Sequence, residues 1–60
     1  MVLTKLADIR VSRGLTPEQL GMLCGVSYNT IRRAEKGKGV ILANAKVIAK
    51  ALKLKVDDLK

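Results

Sequence analysis

The stretch LTPEQLGMLCGVSYNTIRRAEKG, Leu15 to Gly37, contains two helix starts and two helix stops within twenty-three residues. Thr16-Pro17-Glu18-Gln19 supplies a hydroxyl N-cap, a proline at the first helical position and a glutamine at the third. That combination is a capping box with proline where its missing N–H costs nothing. The helix it opens carries Leu20, Gly21 and Cys24 inward and stops at Gly25. Ser27 is a second N-cap, and the helix it opens runs from Tyr28 to Lys36 with Gly37 as its stop. Ile31 and Ala34, three apart, face the core. Tyr28, Asn29, Arg32, Arg33 and Lys36 are left on the outer faces.

Outward from this stretch the period remains helical, and no alternation of apolar and polar residues persists. Leu3, Leu6 and Ile9 line one side of a first helix, which Ser12-Arg13-Gly14 ends. Gly37-Lys38-Gly39-Val40 is a connector. A fourth helix spans Leu42 to Leu52 with Leu42, Ala45, Ile48, Ala49 and Leu52 inward, and without an N-cap, because Ile41 cannot cap. Lys46, Lys50 and Lys53 fall on its other side and read as a solvated face. A single turn from Val56 to Leu59 opens with Asp57 and Asp58, acids placed as the helix dipole prefers. The expected fold is all-α, a compact five-helix arrangement, with residues 1–60 as one domain.

Sixty residues bury only about 60% of the surface the unfolded chain exposes, so the stability margin is thin. The core is aliphatic, since Phe and Trp are absent and Tyr28 is the lone aromatic residue. Twelve basic residues oppose five acids, a formal charge of +7. The first forty residues carry seven bases and three acids, the last twenty five and two, so the excess is not a tail. Such a field attracts polyanions, with nucleic acid the leading partner and an anionic membrane the second. A single cysteine and no histidine remove disulfides, thiolate clusters and the usual nucleophile–base pairs. No catalytic residue, metal ligand, cofactor or small-molecule substrate is expected. The charged N-terminus does not read as a signal peptide, and no apolar run reaches the ~20 residues that span a bilayer. A cytoplasmic protein, of bacterial or phage type, is expected.

Residues 17–36 thus read as a helix-turn-helix, with small residues, Gly21 and Ala34, where the two helices approach. Leu15 to Gly37 resembles the helix-turn-helix of the phage repressor and Cro type, the XRE family. Ala49 to Leu59, AKALKLKVDDL, is similar to that family's last two helices. The resemblance covers nearly the whole chain. It implies a lambda-repressor-like DNA-binding domain in which helices 2 and 3 form the motif and helix 3 enters the major groove of double-stranded DNA. It implies base reading by Tyr28, Asn29, Arg32 and Arg33, and sugar–phosphate contacts by Thr16, Ser27, Lys36 and Lys38. The chemistry suits those roles, since Asn pairs bidentately with adenine and Arg with guanine, while backbone contacts set register. The resemblance also pairs Arg10 with Glu35 as a structural ion pair. It implies a transcriptional repressor or regulator acting as a homodimer on DNA, with Val40, Ile41, Leu54 and Leu59 as candidate dimer contacts. A protein-interaction or antitoxin-like module on the same fold is the alternative.

The chain departs from the family pattern in several places. Pro17 replaces a glutamine whose amide contacts phosphate. Gly21 stands where alanine is usual, at a propensity cost of up to ~1 kcal/mol. Ala34 replaces a bulkier aliphatic residue. The connector is one residue short and lacks the usual Pro-Ser. Met22 and Leu23 are apolar where polar residues are usual, which would suit a protein partner.

Overall fold

The computed structural model describes residues 1–60 and contains five helices, α1 (Leu6–Ser12), α2 (Pro17–Cys24), α3 (Tyr28–Glu35), α4 (Leu42–Ala51) and α5 (Val56–Leu59), and no strand. Every helix contributes to one cluster of twelve buried apolar residues: Leu6 from α1; Leu20 and Cys24 from α2; Ile31 and Ala34 from α3; Ala45, Ile48 and Ala49 from α4; Leu59 from α5; and Leu3, Val40 and Leu52 from the connections. Ile9, Leu15, Val26, Leu54 and Val56 close over it. No helix is long and apolar enough to cross a membrane.

The two caps in the central stretch form as local chemistry dictates. Thr16 Oγ1 accepts from the Gln19 backbone N–H at 3.1 Å, and Gln19 Oε1 accepts from the Thr16 N–H at 2.8 Å. Ser27 Oγ accepts from the Thr30 N–H at 3.1 Å. Gly25, at φ 74°, makes the left-handed turn that ends α2, and Val26 N–H returns to the Gly21 carbonyl at 3.0 Å. Gly21 of α2 is thereby packed against the backbone of the turn and the start of α3, Val26 to Tyr28. A Cβ built on Gly21 would lie 2.9 Å from the Val26 carbonyl oxygen. Glycine at this position is therefore a packing requirement of this turn, and its low helix propensity is the accompanying cost.

Three features differ from the sequence expectation. Leu3 is fully buried but lies before α1, not in it. The N-terminal residues are held by backbone pairing to distant elements: Val40 N–H to the Met1 carbonyl at 2.8 Å and Lys5 N–H to the Leu59 carbonyl at 2.8 Å. A spacing of three thus continues across a helix boundary. Leu42, expected inward, is half-exposed, because it opens α4 and sits to one side of the stripe formed by Ala45, Ile48, Ala49 and Leu52. Leu59 and Val40, named as candidate dimer contacts, are instead buried in the core of the chain; Leu54 is partly buried against it, and Ile41 is exposed. The reason is the short α5, whose one apolar turn is spent closing the core.

At the end of α4, Leu54 N–H bonds to the Ala49 carbonyl at 2.9 Å while Lys53 takes φ 60°. This is a Schellman-type ending, which ordinarily carries glycine at the left-handed position. A side chain there costs about 1–2 kcal/mol. At the start of α5, the Asp58 carboxylate accepts from the Lys55 N–H at 2.9 Å.

Candidate nucleic-acid interface

α3 presents its outer face because its inner face is fastened at both ends of the helix. Near the N-terminus, Ser27 caps it and Ile31 is fully buried. Near the C-terminus, Glu35 receives two bonds from Arg10 on α1, Nε to Oε2 at 2.6 Å and Nη2 to Oε1 at 3.2 Å. Arg10 Nη1 also donates to the Leu15 carbonyl at 2.7 Å. One guanidinium therefore ties α1, the loop before α2 and the end of α3 together. Its side chain and that of Glu35 are 12% and 6% exposed. A charge pair so far from water requires this bidentate geometry to offset its desolvation. No buried side-chain nitrogen or oxygen lacks a hydrogen-bond partner.

At 100° per residue, Ile31 and Ala34 define the inner side of α3, and Asn29, Arg32, Arg33 and Lys36 fall within about 50° of the opposite direction. Asn29 and Arg33 are one turn apart, about 40° around the axis. Tyr28, 45% exposed, stands on the flank rather than at the centre of that face. The two arginines diverge. Arg32 reaches toward Glu35, Nη1 to Oε1 at 3.9 Å, and is half-buried, whereas Arg33 is exposed and forms no ion pair. Arg32 is thus partly engaged in the scaffold, a constraint that adjacency in sequence conceals.

Lys36 and Lys38 extend the cationic surface past the helix end, and neither forms a salt bridge. Lys38 is held in place by its backbone, its N–H bonding to the Arg33 carbonyl at 3.0 Å. Thr16 lies at the start of α2, and its hydroxyl accepts a capping bond while keeping its own proton to donate, whereas Ser27 Oγ accepts a capping bond and also shares one with the Thr30 hydroxyl. At the start of α2 little backbone capacity remains: Pro17 has no N–H, and those of Thr16 and Gln19 are taken within the cap.

Arg33 also lines an open cleft of roughly 240 Å³ with Thr30, Gly39, Val40, Ile41 and Asn44. The cleft is smaller than the ~300–1,000 Å³ usual for small-molecule sites. Asn44 carries no pattern in the sequence that marks it as a neighbour of Arg33. Thr30 is one helical turn before Arg33 on α3, whereas only the approach of the α4 start to α3 brings Asn44 there. Thr30 Oγ1 also meets Ser27 Oγ at 2.8 Å, so the cap is continuous with the cleft wall.

The remaining reactive group is inert by placement. Cys24 is buried between α2 and its neighbours, and burial pushes its thiol above the usual value, which disfavours the nucleophilic thiolate. No three side chains of the metal-ligating types cluster.

Two short helices joined through a left-handed glycine, the second presenting an uncovered polar and cationic face, define a helix-turn-helix of the lambda-repressor-like kind. Comparison with known families agrees: the helix-turn-helix profile matches residues 6–59, and the chain belongs to that DNA-binding family, the Cro/C1-type or XRE helix-turn-helix proteins. No curated protein and no solved structure matches the chain.

Proposed function

We propose that the chain is a sequence-specific double-stranded DNA-binding domain, residues 1–60, that acts as a transcriptional regulator of the repressor type in the cytoplasm of a bacterium or its phage. α3 enters the major groove. Asn29 and Arg33 read base edges, one turn apart on the outward face, with Tyr28 against a thymine methyl or a phosphate from the flank. Arg32 contributes a second guanidinium at the edge of that face, held back by Glu35. Lys36, Lys38, Thr16 and Ser27 contact the sugar–phosphate backbone. Two copies bind inverted half-sites about 34 Å apart. Regulation is by occupancy of the site.

The observation that carries this reading is the contrast between Arg10 and Arg33. The first is fully engaged in holding α3, while the second stands on the outward face without a carboxylate partner. A cation held on a rigid helix with its fork unsatisfied suits bidentate pairing with guanine O6 and N7. Backbone anchoring shifts toward the end of α3, because the start of α2 offers few free N–H groups and carries Glu18 in its first turn. Selection of bound duplexes from a random pool at near-physiological salt tests the proposal. Enrichment of a palindrome with half-sites one turn apart supports it. Binding that persists only at low salt, with nothing enriched, rejects it.

Met22 favours a second reading as a protein-interaction or antitoxin-like module. Its side chain is 84% exposed, and Leu23 beside it is also exposed. Charge reversal at Arg32 and Arg33 abolishes function under the first reading and leaves it intact under the second. Met22→Lys has the opposite effects.

A further inference from the structure

The break between α4 and α5 is not encoded where it falls. Residues 40–60 contain neither glycine nor proline, and Lys53, Leu54 and Lys55 are strong helix formers. The other left-handed turns of the chain are made by glycines, Gly14, Gly25 and Gly37, yet the end of α4 turns through Lys53 at φ 60°. A lysine held in that conformation is strained, and surrounding contacts have to impose it. Those contacts belong to α5. Leu59 is fully buried, the Lys5 N–H donates to the Leu59 carbonyl at 2.8 Å, and the Thr4 hydroxyl donates to the Lys60 carbonyl.

The apolar pattern reads straight through the break. In an unbroken helix from Leu42 to Leu59, at 100° per residue, Ala45, Ile48, Ala49, Leu52, Val56 and Leu59 would fall within about 100° of one another. Such a helix would also satisfy more of the backbone. In the folded chain the Val56 and Asp57 N–H groups bond to no backbone carbonyl. Continuous with α4, they would donate to the Leu52 and Lys53 carbonyls. The unbroken helix would be about 27 Å long, whereas the longest extent of the chain is 23 Å. Its α5 end would therefore project from its own body, and the apolar side of that end would need a groove elsewhere. The groove of matching shape is the one that α5 vacates in a second copy.

We infer that α5 is exchanged between two copies of the chain, with Lys53 to Lys55 joining α4 and α5 into one helix, so that Val56 and Leu59 of each copy close the core of the other. The exchange is the same in both directions and closes as a dimer. Each contact that α5 makes with the core is kept, now across the copies. Two strained turns are relieved, and each helix gains hydrogen bonds. The opposing cost is the freedom lost on association. A short connection under strain is the feature that invites exchange of this kind. α3 and its fastening by Arg10 and Glu35 lie outside the exchanged segment. The exchange needs no DNA and is independent of the reading of α3.

Sedimentation of the whole chain over a range of concentrations, without DNA, reads the dimer, and amide hydrogen exchange reads its hinge. Wild type dimerises as concentration rises, and the Val56 and Asp57 amides, open in the monomer, become protected in the dimer. Lys53→Gly relieves the closed turn and weakens the straight helix at both hinges. Its association constant falls by at least about a hundredfold, and its monomer melts higher. Lys53→Ala removes the same ammonium but keeps the strained turn and favours the helix, so it dimerises at least as well as wild type. The exchange is overturned if wild type stays monomeric up to about 1 mM. A dimer in which Val56 and Asp57 stay unprotected is a surface association and also overturns it. So does a Lys53→Gly chain that dimerises like wild type. Equal losses in Lys53→Ala and Lys53→Gly assign the effect to charge and reject the exchange.

Discussion

Arg10 Nε lies 2.6 Å from Glu35 Oε2, so a guanidinium on the first helix fixes the end of the third across twenty-five residues of chain. The same side chain bonds the Leu15 carbonyl just before the cap of α2. The orientation of both helices of the motif thus depends on one arginine that never reaches the outer surface of α3.

Removing one partner of a buried pair leaves the other charge uncompensated, at a cost of about 3 kcal/mol. A domain of this size holds only about 3–5 kcal/mol in reserve. Arg10→Met is therefore expected to keep only about 0–2 kcal/mol of stability, with a lowered melting temperature and a partly unfolded population at room temperature by far-UV circular dichroism. Arg10→Met/Glu35→Leu recovers much of the loss, because no orphaned charge remains. A single variant that melts like wild type would remove the pair from the stability of the fold.

Gly21→Ala sets two effects against each other. Helix propensity improves by up to ~1 kcal/mol. The new Cβ, 2.9 Å from the Val26 carbonyl, requires the turn to shift, and overpacking of this sort costs about 1–3 kcal/mol. The atom it meets is backbone and belongs to the turn that positions Ser27, so it gives way poorly. A net loss of about 1 kcal/mol is expected in denaturant unfolding. A raised midpoint would show that the turn relaxes freely.

The two caps are separable. Thr16→Ala and Ser27→Ala each cost about 1 kcal/mol, and Ser27→Gly only a few tenths. Ser27→Ala should also weaken DNA binding beyond its effect on folding, because it frays the first turn of α3, where Tyr28 and Asn29 sit. Equal affinities for Ser27→Ala and wild type, measured where both are folded, would exclude that coupling.

On DNA, Arg33→Ala is expected to cost about 1–3 kcal/mol and to relax discrimination at one base position. Lys38→Ala is expected to weaken all sequences alike and lower the salt slope by about one unit. Titrations against the selected site and single-base variants of it distinguish the two patterns. A uniform loss from Arg33→Ala makes it a phosphate contact.

Cys24 gives the fold a mild alkaline sensitivity. Burial raises its folded pKa above the unfolded value, so its contribution is complete below the ordinary thiol pKa of about 8.5 and declines as pH rises toward the folded value. The stability difference between wild type and Cys24→Ala should therefore shift against wild type above that pH. A difference independent of pH would show that the thiol ionises as freely in the folded chain as in the unfolded one.

The sequence by itself determined whatever rests on contacts a few residues apart. Thr16 with Gln19, Ser27 with Thr30, Gly25 as the stop of α2 and the 3.6-residue period of α4 are local features, settled by caps, dihedrals and helical spacing before any packing occurs. Through its resemblance to a family, the sequence also indicated Arg10 and Glu35 as partners, which spacing alone does not. The tertiary structure decided what depends on distance through space. It placed Leu3 in the core outside any helix and turned Leu42 toward solvent. It buried the Glu35 carboxylate against Arg10, to which Arg32 one turn before also reaches, while leaving Arg33 free. It set Asn44 beside Arg33. It also changed the meaning of Gly21, from a weak residue in a helix to the one that lets the turn close, because only the folded chain brings the Val26 carbonyl within 2.9 Å of where a side chain would begin.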